Sequence, residues 1–168
     1  MNKPQLPHGG LEYSLELIDP RGRLICRERA LNLVPIEGLN HMLNVALKGV
    51  TPITTWYIGL FEGNATPAPT ITAATLPGLL TECTTYTPGT RVEFVDGNVA
   101  NGNTDNAASL AEFTSTADKQ IYGAFLSGAS TKGATSSVIL SAVRFPSPKP
   151  FSTGSILRVL ASPSIAST

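Results

Sequence analysis

Charge is what this chain has least of. Asp, Glu, Lys and Arg make up 14% of its 168 residues, against about 25% in ordinary soluble domains. Twelve basic side chains balance twelve acidic ones, so no net field would steer the chain onto nucleic acid or an anionic membrane, which argues against a nucleic-acid partner. Histidine is confined to His8 and His41. Neither has a second His, Cys or carboxylate at ligand spacing, which argues against a metal site. The only cysteines are Cys26 and Cys83, and a disulfide would need their strands to be neighbours. Apolar runs stop well short of the ~20 residues that span a bilayer. The start, MNKPQLPHGG, lacks the apolar segment of a signal peptide. These absences predict a chain kept in a reducing cytosol, with two buried free thiols.

Catalytic constellations are equally sparse. A serine nucleophile would depend on the same two histidines, and the Ser127-Gly128 context, FLSGAS, lacks the leading glycine of a nucleophile elbow. Glu62, Glu82, Glu93, Asp96, Asp105 and Glu112 could meet across a sheet as a glycosidase pair. However, Glu93 and Glu112 fall on solvent-facing positions and the others fall in turns. Asp96-Gly97-Asn98 and the run 101–106 do not keep calcium-loop spacing. Gly128 to Gly133 places Lys132 before its second glycine, the reverse of a phosphate loop. The chain reads as a non-enzyme without a cofactor.

What is present is turn chemistry, with 13 Pro and 15 Gly, between short alternating segments. Leu11, Tyr13, Leu15 and Leu17 share one face of a strand and Glu12, Ser14 and Glu16 the other. Asp19-Pro20-Arg21-Gly22 is a type I turn signature, and Leu24 to Ala30 returns with Arg27 and Arg29 outward, closing an N-terminal hairpin over 11–30. Further strands are predicted at the Trp56 run, 81–86, 91–95, 107–114, 119–126, 137–145 and 154–160. A tight turn is expected at Asp96-Gly97-Asn98, a long surface loop at 63–77 and a stiff proline connector at 146–150. Strands at this spacing predict one mainly β domain over 11–168, an antiparallel sandwich or jelly-roll-like barrel. Residues 1–10 read as a flexible arm.

One helix interrupts the strands. Ile36, Leu39, Leu43, Ala46 and Leu47 fall on one face of a 3.6-residue period, with Pro35 as first residue and Gly49 as stop, which predicts a helix over 35–48. The apolar face is expected to pack on the sheet, so that Leu43→Ala would cost about 2–5 kcal/mol. The predicted core is Leu39, Leu43, Trp56, Ile58, Phe94, Phe113 and Phe125. Aromatics scattered over strands favour packing over a stacking platform. A carbohydrate-binding module remains open if Trp56 or Tyr57 is exposed beside a polar groove.

Several features taken in order carry a family resemblance. Asn32-Leu33-Val34 leads into Gly38-Leu39-Asn40 and the helix, then Trp56-Tyr57-Ile58-Gly59-Leu60, Arg91-Val92-Glu93-Phe94, Asn106-Ala107-Ala108 with Phe113, and Gly123-Ala124-Phe125-Leu126 with Ser130-Thr131-Lys132-Gly133. A last strand over 154–159 follows. Over residues 31–160 the chain resembles small virion structural proteins of tailed bacteriophages, some of which are capsid decoration or cement proteins. The resemblance implies a homo-oligomer on the capsid surface whose partners are the major capsid protein and copies of itself. A tail or baseplate component is the alternative within the virion. Arg21, Arg23, Arg27 and Arg29 are candidate partner contacts, with the arm ordering on contact; deleting 1–10 would then weaken attachment more than stability.

Overall fold

The computed structural model describes residues 11–164; the predicted arm, with His8, lies outside them. Nine strands and two helices follow in order: β1 (Leu11–Ile18), β2 (Leu24–Leu31), α1 (Ile36–Lys48), β3 (Trp56–Phe61), α2 (Leu76–Leu80), β4 (Tyr86–Thr87), β5 (Val92–Phe94), β6 (Ala111–Ser115), β7 (Lys119–Ser127), β8 (Ile139–Phe151) and β9 (Ile156–Pro163). They form two antiparallel sheets, a five-stranded one in the order β2-β1-β9-β6-β4 and a four-stranded one in the order β5-β3-β7-β8. The architecture is a mainly β, sandwich-like one with an N-terminal hairpin.

Alternation along the strands builds the core. Tyr13, Leu15 and Leu17 of β1, Phe113 of β6, and Leu157 and Val159 of β9 meet Ile58, Leu60, Ile121, Ala124 and Leu126 from the second sheet. The Tyr13 hydroxyl reaches Ser141 Oγ on β8 at 2.6 Å, a buried bond from sheet to sheet. Burial pushes the Tyr13 phenol well above its ordinary pKa, so it stays protonated as a hydrogen-bonding group. Of the predicted core residues, Ile58, Phe94, Phe113 and Phe125 are buried.

Two predicted elements change character. The run 63–77 is not a loop lying free on the surface: Ile71, Ala73 and Leu76 enter a second apolar cluster with Phe61, Leu80, Phe125, Ile139 and Ala142. Small Thr and Ala residues let the chain lie close enough for Ile71 to act as its plug. The proline connector belongs to β8. Pro146, Pro148 and Pro150 are exposed while Phe145, Lys149 and Phe151 point inward, and β8 is a sheet edge, where proline costs no ladder bond. Pairing with β7 breaks between Ile121 and Gly123, and Pro146 and Pro148 occupy that interruption.

Turn positions shift too. Gly22 N donates to Asp19 O at 2.9 Å, closing the expected β1–β2 turn. The later tight turn falls at Asn101-Gly102, both at positive φ, between Ala100 and Asn103, which exchange both backbone bonds. Asp96-Gly97 instead runs alongside Asp105, with Gly97 N donating to its carbonyl. An Asn-Gly pair meets the left-handed geometry that a two-residue hairpin turn requires.

Candidate functional site

The helix departs most from expectation. Pro35 is its N-cap and Gly49 its left-handed C-cap, so the span is as predicted to within one residue, but the face is inverted. Leu43 is 57% and Leu47 73% exposed, and Ile36 and Leu39 are also exposed. Leu39 and Leu43 are therefore not core residues. The reason lies one position from the apolar stripe. The Glu37 carboxylate turns inward and accepts the backbone N–H of Ile139 at 2.7 Å and of Ala73 at 3.0 Å. Gly38 is buried so tightly on β8 that an added Cβ would lie 2.7 Å from the Leu140 carbonyl oxygen. Two satisfied donors and a glycine contact seat the helix by its narrow side, and the leucines follow outward.

Two apolar clefts flank this seat, and Met42 and Leu140 line both. One, about 370 Å³, is bordered by Val34, Leu39, Val99 and Pro163. The other, about 360 Å³, is bordered by His41, Val45, Ile53 and Trp56. Trp56 is half-buried rather than a core residue, with the His41 ring edge-on to it at 5.7 Å.

The hairpin arginines are exposed but engaged within the chain. Arg23 pairs with Asp19, Arg27 with Glu16 and Arg29 with Glu12, and on the same sheet Arg158 pairs with Glu112. Arg21 gives its backbone N–H to Asp19. In water such pairs contribute little and exchange readily for other carboxylates.

At the opposite edge of the second sheet lies a charged cluster that sequence reasoning missed. Arg91 is 1% exposed and Glu82 is also buried. Arg91 Nε and Nη2 each donate to one Glu82 oxygen at 2.8 Å. Nη1 donates to Ser127 Oγ and to the Ala129 carbonyl, both at 3.0 Å. Glu82 also accepts the Gly133 N–H at 2.7 Å. The guanidinium lies over the Phe125 ring. Beside it, Lys132 sits over the Tyr86 ring and donates to the carbonyls of Tyr86 and Thr84. Burial pushes the Lys132 ammonium below its usual pKa and the Cys83 thiol above its own. Every strong donor and acceptor of the Arg91–Glu82 pair is occupied by protein, so the cluster acts as a clasp that ties the 128–133 loop to β4 and β5. A lone arginine after Thr-Pro-Gly-Thr carries no sequence signal of burial.

A second missed polar residue, Asn106, is fully buried. Its side chain accepts from Ala161 N at 2.8 Å and donates to the Val159 carbonyl at 3.1 Å. It replaces the ladder over 107–110, where a strand was expected. Cys26 and Cys83 are both free. Among the described residues, no three His, Cys, Asp or Glu side chains cluster as a metal site, and no helix is long and apolar enough to cross a membrane. Comparison of the chain with protein-family models, curated proteins and solved structures finds no match.

Proposed function

We propose that the chain is a non-enzymatic virion structural protein of a tailed bacteriophage, a decoration or cement subunit that binds the major capsid protein at the shell surface. The observation that carries this reading is the uncovered apolar face of α1, where Ile36, Leu39, Leu43 and Leu47 meet water on a body whose two inner clusters are closed. Monomeric proteins seldom leave such a patch uncovered. A lattice supplies the cover and repeats each modest contact many times, so that weak interfaces hold collectively. The motif order, which resembles that of phage virion proteins, is in keeping with the same reading. Its segments at 56–60, 91–94 and 123–126 fall in or beside β3, β5 and β7, adjacent strands of one sheet.

Co-sedimentation of the chain with shells assembled from the major capsid protein tests the proposal. Saturable binding at virion-like salt is expected, and no binding would sink it. Immunogold labelling of intact particles separates the shell from a tail or baseplate position.

One observation keeps a sugar-binding reading in view. Half-buried Tyr122, with the Arg144 guanidinium over its ring, borders an open groove of mixed polarity, about 540 Å³, with Glu62, Asp118, Lys119 and Gln120. Trp56, one of the two aromatics on which that reading turns in the sequence, faces an apolar cleft instead. Glycan-array binding lost on Tyr122→Ala would favour this alternative.

A further inference from the structure

We infer that the leucine face of α1 is the surface through which two copies of this chain pair about a two-fold axis. The inference rests on the capsid reading and assigns the cover of this face to a neighbouring copy on the lattice, leaving the capsid protein to another surface of the chain.

Its first ground is charge. In an isologous contact the same patch meets itself, so any charge near the axis opposes its own copy. The only charged side chains of α1 are Glu37 and Lys48. Glu37 is turned inward onto two backbone N–H groups, and Lys48 stands at the last turn. Between them the outward face offers Ile36, Leu39, Asn40, Leu43, Asn44 and Leu47, apolar side chains and two amides that can donate to and accept from each other. The outer face of the β1–β2 hairpin carries acids and arginines in alternation. A heterologous partner could match that face; the α1 face suits a copy of itself.

The second ground is area. Ile36, Leu39, Leu43, Leu47, Val50 and Val99 together expose on the order of 600 Å², so pairing two copies would bury at most roughly 1,200 Å², the lower bound of a specific interface. Leu43 lies at the middle of the stripe and so nearest the axis. The cleft beside Leu39 and Val99 gives a crossing side chain somewhere to enter.

Sedimentation velocity on the full chain, across roughly 1–100 µM where interfaces of this size associate, provides the test. The wild type should sediment at twice its 17.6 kDa chain mass. Leu43→Glu sets two carboxylates against each other at the axis. It should raise the dissociation constant about a hundredfold or more, leaving a single-chain mass and a melting temperature equal to that of the wild type at dilution, where both are single chains. Thr90→Glu, exposed at the far edge of the same sheet, should pair like the wild type. Under mild oxidation in a Cys26→Ser background, Leu43→Cys should give a covalent dimer and Thr90→Cys should not. A wild type of single-chain mass throughout, or a Leu43→Glu chain that stays paired, overturns the inference.

Shell co-sedimentation of the same proteins separates the two readings. A monomeric wild type that binds shells, and loses them on Leu43→Glu, gives the leucine face to the capsid and ends the pairing model alone. A dimer that ignores shells ends the capsid reading alone.

Discussion

The two edges of the four-stranded sheet invert the usual placement of side chains. At the β8 edge the chain turns a row of leucines toward water, and beside β5 it takes an arginine and a glutamate out of it. The difference shows that local polarity does not choose the buried surface. At the β5 edge, burial is tolerated because the guanidinium and carboxylate saturate each other and the backbone of a returning loop. At the β8 edge, Gly38 and Glu37 satisfy two N–H groups and allow a close backbone approach, which the leucine side of the same helix cannot offer.

The largest expected effect is at the clasp. Arg91→Met leaves the Glu82 carboxylate sealed without its counter-charge and should cost about 3–5 kcal/mol in urea unfolding. Adding Glu82→Met should restore much of that, because neither charge is then stranded. A double-variant loss equal to the sum of the Arg91→Met and Glu82→Met losses would show that the pair is not coupled.

The helix seat comes next. Gly38→Ala would gain about 1 kcal/mol of intrinsic helix propensity. The new methyl, however, would press on the Leu140 and Ile139 carbonyls at 2.7 and 2.9 Å, so a net loss of about 1–3 kcal/mol is expected. A stabilised variant would mean that the helix lifts off β8 without penalty.

Smaller still is Leu43→Ala. Its apolar pattern alone implies a core deletion of about 2–5 kcal/mol. Its exposure reduces the expectation to about 0.5 kcal/mol, measured at dilution where single chains dominate. A core-sized loss there would return Leu43 to the interior.

Legibility in the sequence follows the range of the forces involved. Period-2 alternation reports a strand and its inner face locally, and Tyr13, Leu15, Leu17 and Phe113 lie inside as their spacing implies. The Asp19–Gly22 turn is likewise local. The α1 period correctly marks an apolar face, but whether this chain or another molecule covers it depends on contacts with β8, about a hundred residues away. The same holds for Arg91, whose partners Ser127, Ala129 and Gly133 come from a distant loop, and for Asn106 against β9. Ile71 and Leu76 are hidden by their company, since a Thr- and Ala-rich run looks unanchored until its few large side chains find a socket.

The hairpin tip offers a half-exposed counterpart of the clasp, with a buried carboxylate and an exposed arginine, and the smallest effect. Arg23 and Asp19 form the same kind of pair as Arg91 and Glu82, but the Arg23 side chain is 72% exposed. Asp19 accepts the backbone N–H of Arg23 and of Arg21 and the Arg23 Nε–H. The backbone bond from Arg23, chiefly, holds its carboxyl below the ordinary carboxylate range. A folded-state pKa lower than the unfolded value of about 3.9 means that ionised Asp19 favours the folded chain. That contribution is complete above about pH 4 and fades as the pH falls through the folded-state value. Asp19→Asn should therefore melt slightly below the wild type at pH 7. The gap should close as both are acidified past the folded-state pKa, when the wild-type carboxyl is also neutral. Melting curves by circular dichroism, taken in steps from pH 7 down to about pH 2, read this directly. A gap that keeps its size in acid would assign the effect to the shape of the turn, leaving the clasp as the place where this arginine–carboxylate chemistry depends on charge.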